Sequence, residues 1–250
     1  MRASEALLLG AVQGLTEVVP VSSSAHLTLL PWLLGQPPAP DRTALAAGLH
    51  AGSCLGIALG LRRDLPGPRT AALALATSLP AALAGLLAAD AVEARLGRPR
   101  QVAVLLGAAG AAMALADRRP QLRPVGPREA AWAALAQVTA LAPGVSRSGA
   151  CLTALRLAGV RRRDAERFAL LMSLPITAGA AGLALLRAEP AVLRALVRPL
   201  ALGAPAAALA AWAGVVRLGP RGGRPLAGPA VYRLAVAALV IRTTRRRDRA

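Results

Sequence analysis

Long apolar segments recur along the whole 250-residue chain, and they constrain its fold more than any other feature. Hydrophobic residues make up 55% of the sequence, and the mean hydropathy is +0.51. A water-soluble domain would interleave such segments with polar faces, so the pattern predicts an all-α polytopic membrane protein with a single membrane domain over residues 1–250. The apolar segments are residues 5–19, 24–35, 43–61, 70–90, 101–116, 129–142, 149–159, 166–187, 196–217 and 228–241.

The formal net charge of +18 comes from arginine, because the sequence contains no lysine. The arginines cluster between the apolar segments, which is the position of charges that flank membrane spans. Aromatic residues make up only 2% of the chain, and together with the missing lysines this argues against a nucleic-acid partner. Arginine flanks nearly every span on both sides, so the charge pattern does not predict which end faces the cytoplasm.

The first apolar segment is too short to cross a membrane. A helix from Glu5 to Val19 would be ~22 Å long, against about 30 Å for a hydrocarbon core. Pro20 ends this helix, and the serine-rich turn that follows it runs to Ser24. Non-helical backbone at membrane depth needs protein or a water-filled cavity to satisfy its amides. The segment therefore predicts a re-entrant helix hairpin beside a polar cavity.

The chain also contains a weak internal repeat. Residues 16–24 resemble residues 139–147, and residues 74–80 resemble residues 169–175. The second copy of the turn is flanked by the short segments 129–142 and 149–159, which predict a second re-entrant hairpin. Two repeat halves, approximately 1–100 and 101–250, would face each other in inverted or parallel topology, and their broken helices would meet near the middle of the membrane.

The second turn, residues 143–149, has the composition of a phosphate-binding loop. Arg147 can donate bidentate hydrogen bonds to a phosphate, and Ser146 and Ser148 add hydroxyl donors. Gly144 and Gly149 would let backbone amides approach the same anion. The alternative is that Arg147 only anchors the chain at the membrane interface.

Together, Gln13 to His26 and Pro143 to Gly149 resemble the signature motifs of the undecaprenyl-diphosphate phosphatases, the bacitracin-resistance family of bacterial membrane enzymes. The resemblance extends to the segments at His50, at Phe168 and at Val231 to Arg233. It implies inverted repeats with two re-entrant hairpins, a divalent-metal requirement, and removal of the terminal phosphate from undecaprenyl diphosphate. Gln13 departs from the family pattern, since many members carry Glu there, and it leaves one carboxylate fewer for the metal.

The residues themselves predict one chemical group for each task of diphosphate hydrolysis. Glu17, helped by the side-chain carbonyl of Gln13, suits Mg²⁺ or Ca²⁺, because hard cations take oxygen ligands and share them with substrate phosphates. Arg147 fits the phosphoryl oxygens. Ser23 is the predicted nucleophile with His26 as base or acid, and direct attack by water is the alternative. The remaining hydroxyls of the first turn, on Ser22 and Ser24, would hold phosphate or shape the turn.

Three further polar residues are interpreted as structural. His50 lies in an apolar helix without an evident partner, and Cys54 and Cys151 lie in stretches of small residues without metal-ligand spacing. The predicted location is the bacterial plasma membrane, with a polyprenyl diphosphate lipid as substrate, the bilayer as surroundings and a homodimer left open. A polyprenyl-phosphate transporter or flippase is the competing function, because inverted repeats with broken helices also build secondary carriers.

Overall fold

The computed structural model describes residues 1–35, 42–63, 66–120, 123–219 and 223–247, and these residues confirm the all-α class. They form eleven helices that are numbered in chain order. The helices are α1 (Ala3–Val18), α2 (Ser23–Leu33), α3 (Arg42–Leu61), α4 (Pro68–Ala76), α5 (Leu79–Leu96), α6 (Pro99–Ala116), α7 (Pro127–Thr139), α8 (Arg147–Leu157), α9 (Arg162–Arg187), α10 (Pro190–Leu218) and α11 (Ala227–Arg247).

Five stretches are long and apolar enough to cross a membrane, namely Thr43–Leu61, Pro68–Leu96, Pro99–Ala116, Arg162–Arg187 and Pro190–Leu218. The protein is therefore a multi-pass membrane protein. The segment 101–116 falls just below the length predicted for a span, but α6 begins two residues earlier and reaches 18 residues. Helices α1, α2, α7 and α8 have 16, 11, 13 and 11 residues. They are short, as expected of re-entrant hairpins, whose position in the bilayer stays a prediction.

The apolar segment 70–90 is confirmed as part of the candidate span Pro68–Leu96, but a turn at Thr77 and Ser78 divides that span into α4 and α5. Pro80 has no N–H and cannot donate to the carbonyl of residue 76, so the helical ladder is interrupted there. The hydroxyls of Thr77 and Ser78 instead donate to the carbonyl of Ala74, at 2.9 and 3.0 Å. In the second copy of this motif, α9 continues through Pro175. The two copies thus share a sequence but not a conformation.

Helix α10 packs between α1 and α3 at very short range. A Cβ atom on Gly10 would lie 2.1 Å from the carbonyl oxygen of Gly203, and one on Gly56 would lie 2.1 Å from that of Ala208. Only glycine allows these approaches, which resemble the small-residue packing typical of membrane helices. The packing fixes α1, which carries Gln13 and Glu17, relative to α3.

Helix α11 packs along α6 and supplies a fully buried guanidinium, that of Arg233. The largest apolar core cluster lies around α8 and α9, where Met113, Leu155 and Phe168 are all buried. The predicted boundary between repeat halves, near residue 100, falls in the first turn of α6. The extent of the halves stays a prediction, whereas the local match between the two turns is visible in the structure.

Candidate active site

The two serine-rich turns have the same backbone geometry. Ser22 and Ser146 are the N-cap residues of α2 and α8, with φ of 75° and 71°. Each hydroxyl accepts a hydrogen bond from the N–H three residues later, on Ala25 at 3.3 Å and on Gly149 at 3.2 Å. A positive φ in a residue other than glycine stores strain of the kind found at functional sites.

This geometry corrects the predicted alignment of the repeat by one residue. The alignment of residues 16–24 with 139–147 puts Ser23 opposite Ser146, but in the structure Ser22 and Ser146 have the same capping role. Gln13 and Gln137 each precede the capping serine by nine residues, so the structural match is shifted by one residue and places Gly144, whose φ is +100°, opposite Pro20. Ser23 therefore corresponds to Arg147, so the two copies contribute different groups from the same position.

The turns meet, as the sequence predicted, and Arg233 of α11 holds them together. Its Nε donates to the carbonyl of Pro20 at 2.7 Å, and its Nη1 donates to the carbonyl of Val145 at 3.2 Å. Both carbonyls belong to turns that lack a helical partner at this point, so the guanidinium replaces the missing backbone donors. Gly149 leaves room for it, since a Cβ there would lie 2.2 Å from Nη2 of Arg233.

Glu17 is the centre of the site. Its Oε2 accepts hydrogen bonds from Nε2 of Gln13 at 3.0 Å and from Oγ of Ser23 at 2.8 Å. Its Oε1 forms an ion pair with Nη2 of Arg147, which comes from the other turn. Nε2 of His50 lies 3.7 Å from Oε2. One carboxylate of which only 5% is exposed thus contacts the predicted nucleophile and the predicted phosphate ligand together.

A cavity of about 900 Å³ opens over this carboxylate. Glu17, Ser23 and Arg147 line it. The residues that α5 and α9 contribute are mostly apolar, such as Leu86 and Leu183, with the charged Asp90 and Arg187 as exceptions. Charged groups in a largely apolar cavity suit a ligand that has an anionic head and a hydrocarbon chain.

The predicted site residues divide into two groups. Six of them line the cavity, namely Glu17, Ser23, Ser24, Ser146, Arg147 and Ser148. Gln13 and Ser22 are fully buried instead. Gly144 packs against α6, since a Cβ on it would lie 2.5 Å from the carbonyl oxygen of Val102. The structure gives Ser22, Gly144 and Gly149 capping or packing contacts, and their predicted role in phosphate binding has no supporting contact.

His26 is not among the residues that line this cavity. Its Nδ1 lies 2.7 Å from the carbonyl oxygen of Ser22, its Nε2 lies 2.6 Å from the hydroxyl of Tyr232, and the two rings stack. In this conformation the hydroxyl of Ser23 donates to Glu17 and not to His26. The role of His26 as acid or base stays a prediction, whereas the contact that orients Ser23 belongs to Glu17.

Three residues at the site escaped the sequence analysis. His50, interpreted as structural and without a partner, has its Nδ1 2.7 Å from the carbonyl oxygen of Ala46, and its other nitrogen faces Glu17 across the cavity. Gln137 lines the cavity, and Arg233 connects the turns. A signal existed for Gln137, because it precedes Ser146 by nine residues, as Gln13 precedes Ser22.

The donors around Glu17 fit a hard divalent cation that is shared with the substrate. Within the described ranges, no group of three or more His, Cys, Asp or Glu residues is placed to hold a metal. However, Oε1 of Gln13 is buried and has no hydrogen-bond partner within those same ranges, which leaves one amide oxygen available beside one carboxylate. Mg²⁺ is often held by one or two carboxylates together with substrate phosphates, so this set is sufficient for it.

The sequence matches known proteins over most of its length. Residues 6–239 match the model of the family described as "Bacitracin resistance protein BacA". The chain is 39% identical over 203 residues to an undecaprenyl-diphosphatase of Geobacter metallireducens, covering 72% of this chain and 75% of the relative. It is 41% identical over 206 residues to an undecaprenyl-diphosphatase of Rubrobacter xylanophilus, with coverage of 72% and 75%. With these matches and the two paired turns, the chain belongs to the BacA bacitracin-resistance family.

Proposed function

We propose that this membrane protein hydrolyses undecaprenyl diphosphate to undecaprenyl phosphate and inorganic phosphate. In the plasma membrane of a bacterium this reaction recycles the lipid carrier of cell-wall synthesis and confers resistance to bacitracin. The observation that supports it best is the contact of Ser23, Glu17 and Arg147 in a largely apolar cavity. The names of the relatives support the same substrate.

Ser23 is the nucleophile of the proposed reaction. Its hydroxyl donates to Glu17, so the carboxylate orients the oxygen and accepts its proton as Ser23 attacks the terminal phosphorus. The bond to the bridging oxygen breaks, undecaprenyl phosphate leaves, and water then hydrolyses the phosphoserine. Direct attack by water on the substrate is the alternative that the experiment below tests.

Arg147 stabilises the phosphoryl group during transfer. The ion pair with Glu17 holds the guanidinium beside Ser23 before the substrate arrives. Its Nε is buried and finds no hydrogen-bond partner in the described part of the chain, so a donor is left for a phosphate oxygen. The hydroxyls of Ser146 and Ser148 line the same cavity. Preorganised donors of this kind act where charge develops in the transition state.

A divalent cation, Mg²⁺ or Ca²⁺, is the proposed cofactor. Glu17 and the amide oxygen of Gln13 would hold it, and it would neutralise charge on the diphosphate oxygens. The prenyl chain of the substrate would follow the mostly apolar walls of the cavity along α5 and α9 toward the bilayer. A homodimer stays a prediction.

The test is phosphate release from a polyprenyl diphosphate by the protein in detergent. We expect Ser23→Ala to lose roughly 10³-fold or more in kcat, on the scale seen when a nucleophile is removed. Ser24→Ala is the comparison variant, because this serine lines the same cavity but its hydroxyl bonds to Ser22 and not to Glu17 in the described part of the chain, so it should lose far less kcat than Ser23→Ala. Phosphate release by Ser23→Ala at the wild-type rate would favour water as the nucleophile, and no release by the wild type would refute the proposal.

A transporter of polyprenyl phosphate is the second candidate, and one observation favours it. Ser148 lines the large cavity and also a smaller one of about 230 Å³. The small cavity lies beside Glu166 to Leu170, in the first part of α9, whereas the large one lies beside its last part, from Pro175 onward. A carrier that alternates access to a central site would need cavities along both parts of such a helix. Lipid transport by Ser23→Ala in liposomes would support this function.

A further inference from the structure

The side-chain amide of Gln137 is buried at the cavity without a complete set of partners. Only 2% of this residue is exposed, yet it lines the large cavity. Its Oε1 accepts a hydrogen bond from Sγ of Cys151 at 3.6 Å, which orients the oxygen toward α8. Its Nε2 has no hydrogen-bond partner among the residues that the structure describes. A buried N–H₂ group without an acceptor is costly, so a ligand that supplies the acceptor would explain it.

The first repeat shows what such an amide does when a carboxylate is present. Gln13 occupies the corresponding position on α1, nine residues before its capping serine, and its Nε2 donates to Glu17, four residues on. Four residues after Gln137 the chain has Leu141. The same amide position is therefore used by an internal anion in the first repeat and is free to bind an external one in the second.

The charges around Gln137 identify the ligand. Arg147 and the hydroxyls of Ser146 and Ser148 line the same cavity, and Nε of Arg147 also has no hydrogen-bond partner in the described ranges. An unpaired amide N–H₂ and an unpaired guanidinium N–H that line one cavity favour an anion with several oxygens, which is the chemistry of a phosphate group.

We propose that Gln137 is a substrate-binding residue whose Nε2 donates a hydrogen bond to a phosphate oxygen of the lipid diphosphate. This inference rests on the proposed function and adds to it a residue that contacts the phosphate from α7. Gln137 thus contacts the diphosphate from α7, whereas the glutamine of α1, Gln13, donates to Glu17.

The experiment compares Gln137→Leu with Gln101→Leu, using farnesyl diphosphate and inorganic phosphate as probes. Gln101 is a matched control, because its Oε1 is also buried and unpartnered in the described residues but it does not line the cavity. We expect Gln137→Leu to raise the KM for farnesyl diphosphate and the inhibition constant for phosphate by about tenfold or more, the range for a hydrogen bond to a charged group. Gln101→Leu should change neither constant.

Thermal unfolding in detergent separates binding from a structural role. Because Gln137→Leu removes an unpaired polar group, its melting temperature should equal or exceed that of the wild type although binding is weaker. Gln137→Glu, with the same shape but a negative charge, should raise the KM further. Unchanged constants for Gln137→Leu, or lower stability with unchanged constants, would overturn the inference.

Failure of the proposed function can be distinguished from failure of the inference about Gln137. If the wild type released no phosphate, calorimetric binding of farnesyl diphosphate would replace the KM as readout. Weaker binding to Gln137→Leu than to the wild type would still support a phosphate contact, and equal binding would overturn it.

Discussion

Two largely buried arginine–carboxylate centres lie in the described part of this protein, and they differ in how completely their hydrogen bonds are made. One is the centre at Glu17 and Arg147, between α1 and α8. The other is Asp117, just after α6, which forms ion pairs with Arg156 of α8 and Arg162 of α9. Both connect segments that are far apart in sequence, and both contain a largely buried carboxylate.

The centre at Asp117 is closed. Oδ1 accepts from Nε of Arg162 at 2.7 Å and from Nε of Arg156 at 3.3 Å, and Oδ2 accepts from the N–H of Leu226 at 2.9 Å. The fully buried Arg156 also donates to the carbonyls of Arg119 and Val160. Every group there serves to join helix ends, which is a structural role.

The centre at Glu17 is open. Within the described ranges, four buried polar atoms at this site lack hydrogen bonds, on the side chains of Gln13, Gln137, Arg147 and Arg233, and two of these residues, Gln137 and Arg147, line the large cavity. Buried polar groups are normally paired, so unpaired ones that face a cavity mark the place where a ligand completes the network. The comparison shows that a buried arginine can either join helix ends or bind a ligand. Unpaired polar atoms beside a cavity indicate the ligand-binding role.

Among substitutions that compare the two centres, the largest effect is expected at the open centre, from changes at Arg147, and it is smaller than that of Ser23→Ala. A Lys keeps the charge but loses the planar fork, so Arg147→Lys should lower kcat by ~10²-fold, on the scale of one oriented donor. Its KM should change less, and Arg147→Ala should be worse. Steady-state kinetics with a short prenyl diphosphate measure both. If Arg147→Lys kept the wild-type kcat, Arg147 would be only an anchor at the membrane interface. The centres at Glu17 and Asp117 would then no longer differ in function.

Substitution at the closed centre should lower the stability of the protein and leave kcat unchanged. Asp117→Ala leaves Arg156 buried without its carboxylate and should lower the free energy of unfolding by about 3 kcal/mol. The exposed pair of Arg161 and Asp164 is the control, since Asp164→Ala should cost less than about 1 kcal/mol. Unfolding in detergent gives the stabilities, and phosphate release per folded protein gives kcat. A tenfold loss of kcat in Asp117→Ala would mean that this centre also serves the reaction.

Low pH should reduce the stability that the same closed centre contributes. Burial raises the pKa of Asp117, but the hydrogen bonds from Arg162 and from the N–H of Leu226 outweigh it and hold the pKa below its ordinary value. The stability that Asp117 contributes is therefore complete above about pH 3.9, the ordinary value, and is lost as the pH falls through the lowered pKa of the folded protein. This pH-dependent loss should be absent in Asp117→Ala.

The smallest effect is expected from a change that closes the open centre. Gln13→Glu adds a carboxylate four residues before Glu17, so the Mg²⁺ concentration for half-maximal activity should fall by roughly fivefold, because ligand charge sets cation affinity. In excess EDTA the two buried carboxylates repel, so the variant should melt at a lower temperature than the wild type, and Mg²⁺ should restore it. The same Mg²⁺ dependence of activity and of melting as in the wild type would show that residue 13 does not contact the metal.

Several features of the site could be predicted because their causes are local. Pro20 disfavours the helical conformation of the residue before it, and α1 ends at Val18 with Val19 in an extended conformation. Glu17, Ser23 and Arg147 were identified because their residue types occur in short motifs with recognisable chemistry. The break at Pro80 was missed although it has the same local cause, because α9 passes through Pro175 without one. The two copies have the same local signal, so the packing around each proline decides whether the helix breaks there.

Other features depend on groups that are distant in the sequence. The motif containing His26 suggested an acid or base, but the ring contacts Tyr232, 206 residues away, while His50 of α3 faces Glu17. Neither contact has a local signature, because each depends on how α3 and α11 pack against the first turn. The unpaired amide of Gln137 likewise appears only when its surroundings are known.

The sequence by itself determined that this chain is an all-helical membrane protein with two serine-rich turns, and it named the proposed nucleophile Ser23 and the guanidinium of Arg147, which the structure brings together at Glu17. Hydrophobic length, proline positions and motif chemistry are properties of short stretches, so they can be read without a fold. Only the tertiary structure decided which imidazole faces Glu17, that Arg233 holds the two turns together, and which buried donors lack partners. These features depend on how closely the helices pack. Gly10 and Gly149 have no Cβ atom, and this allows α10 and Arg233 to approach them.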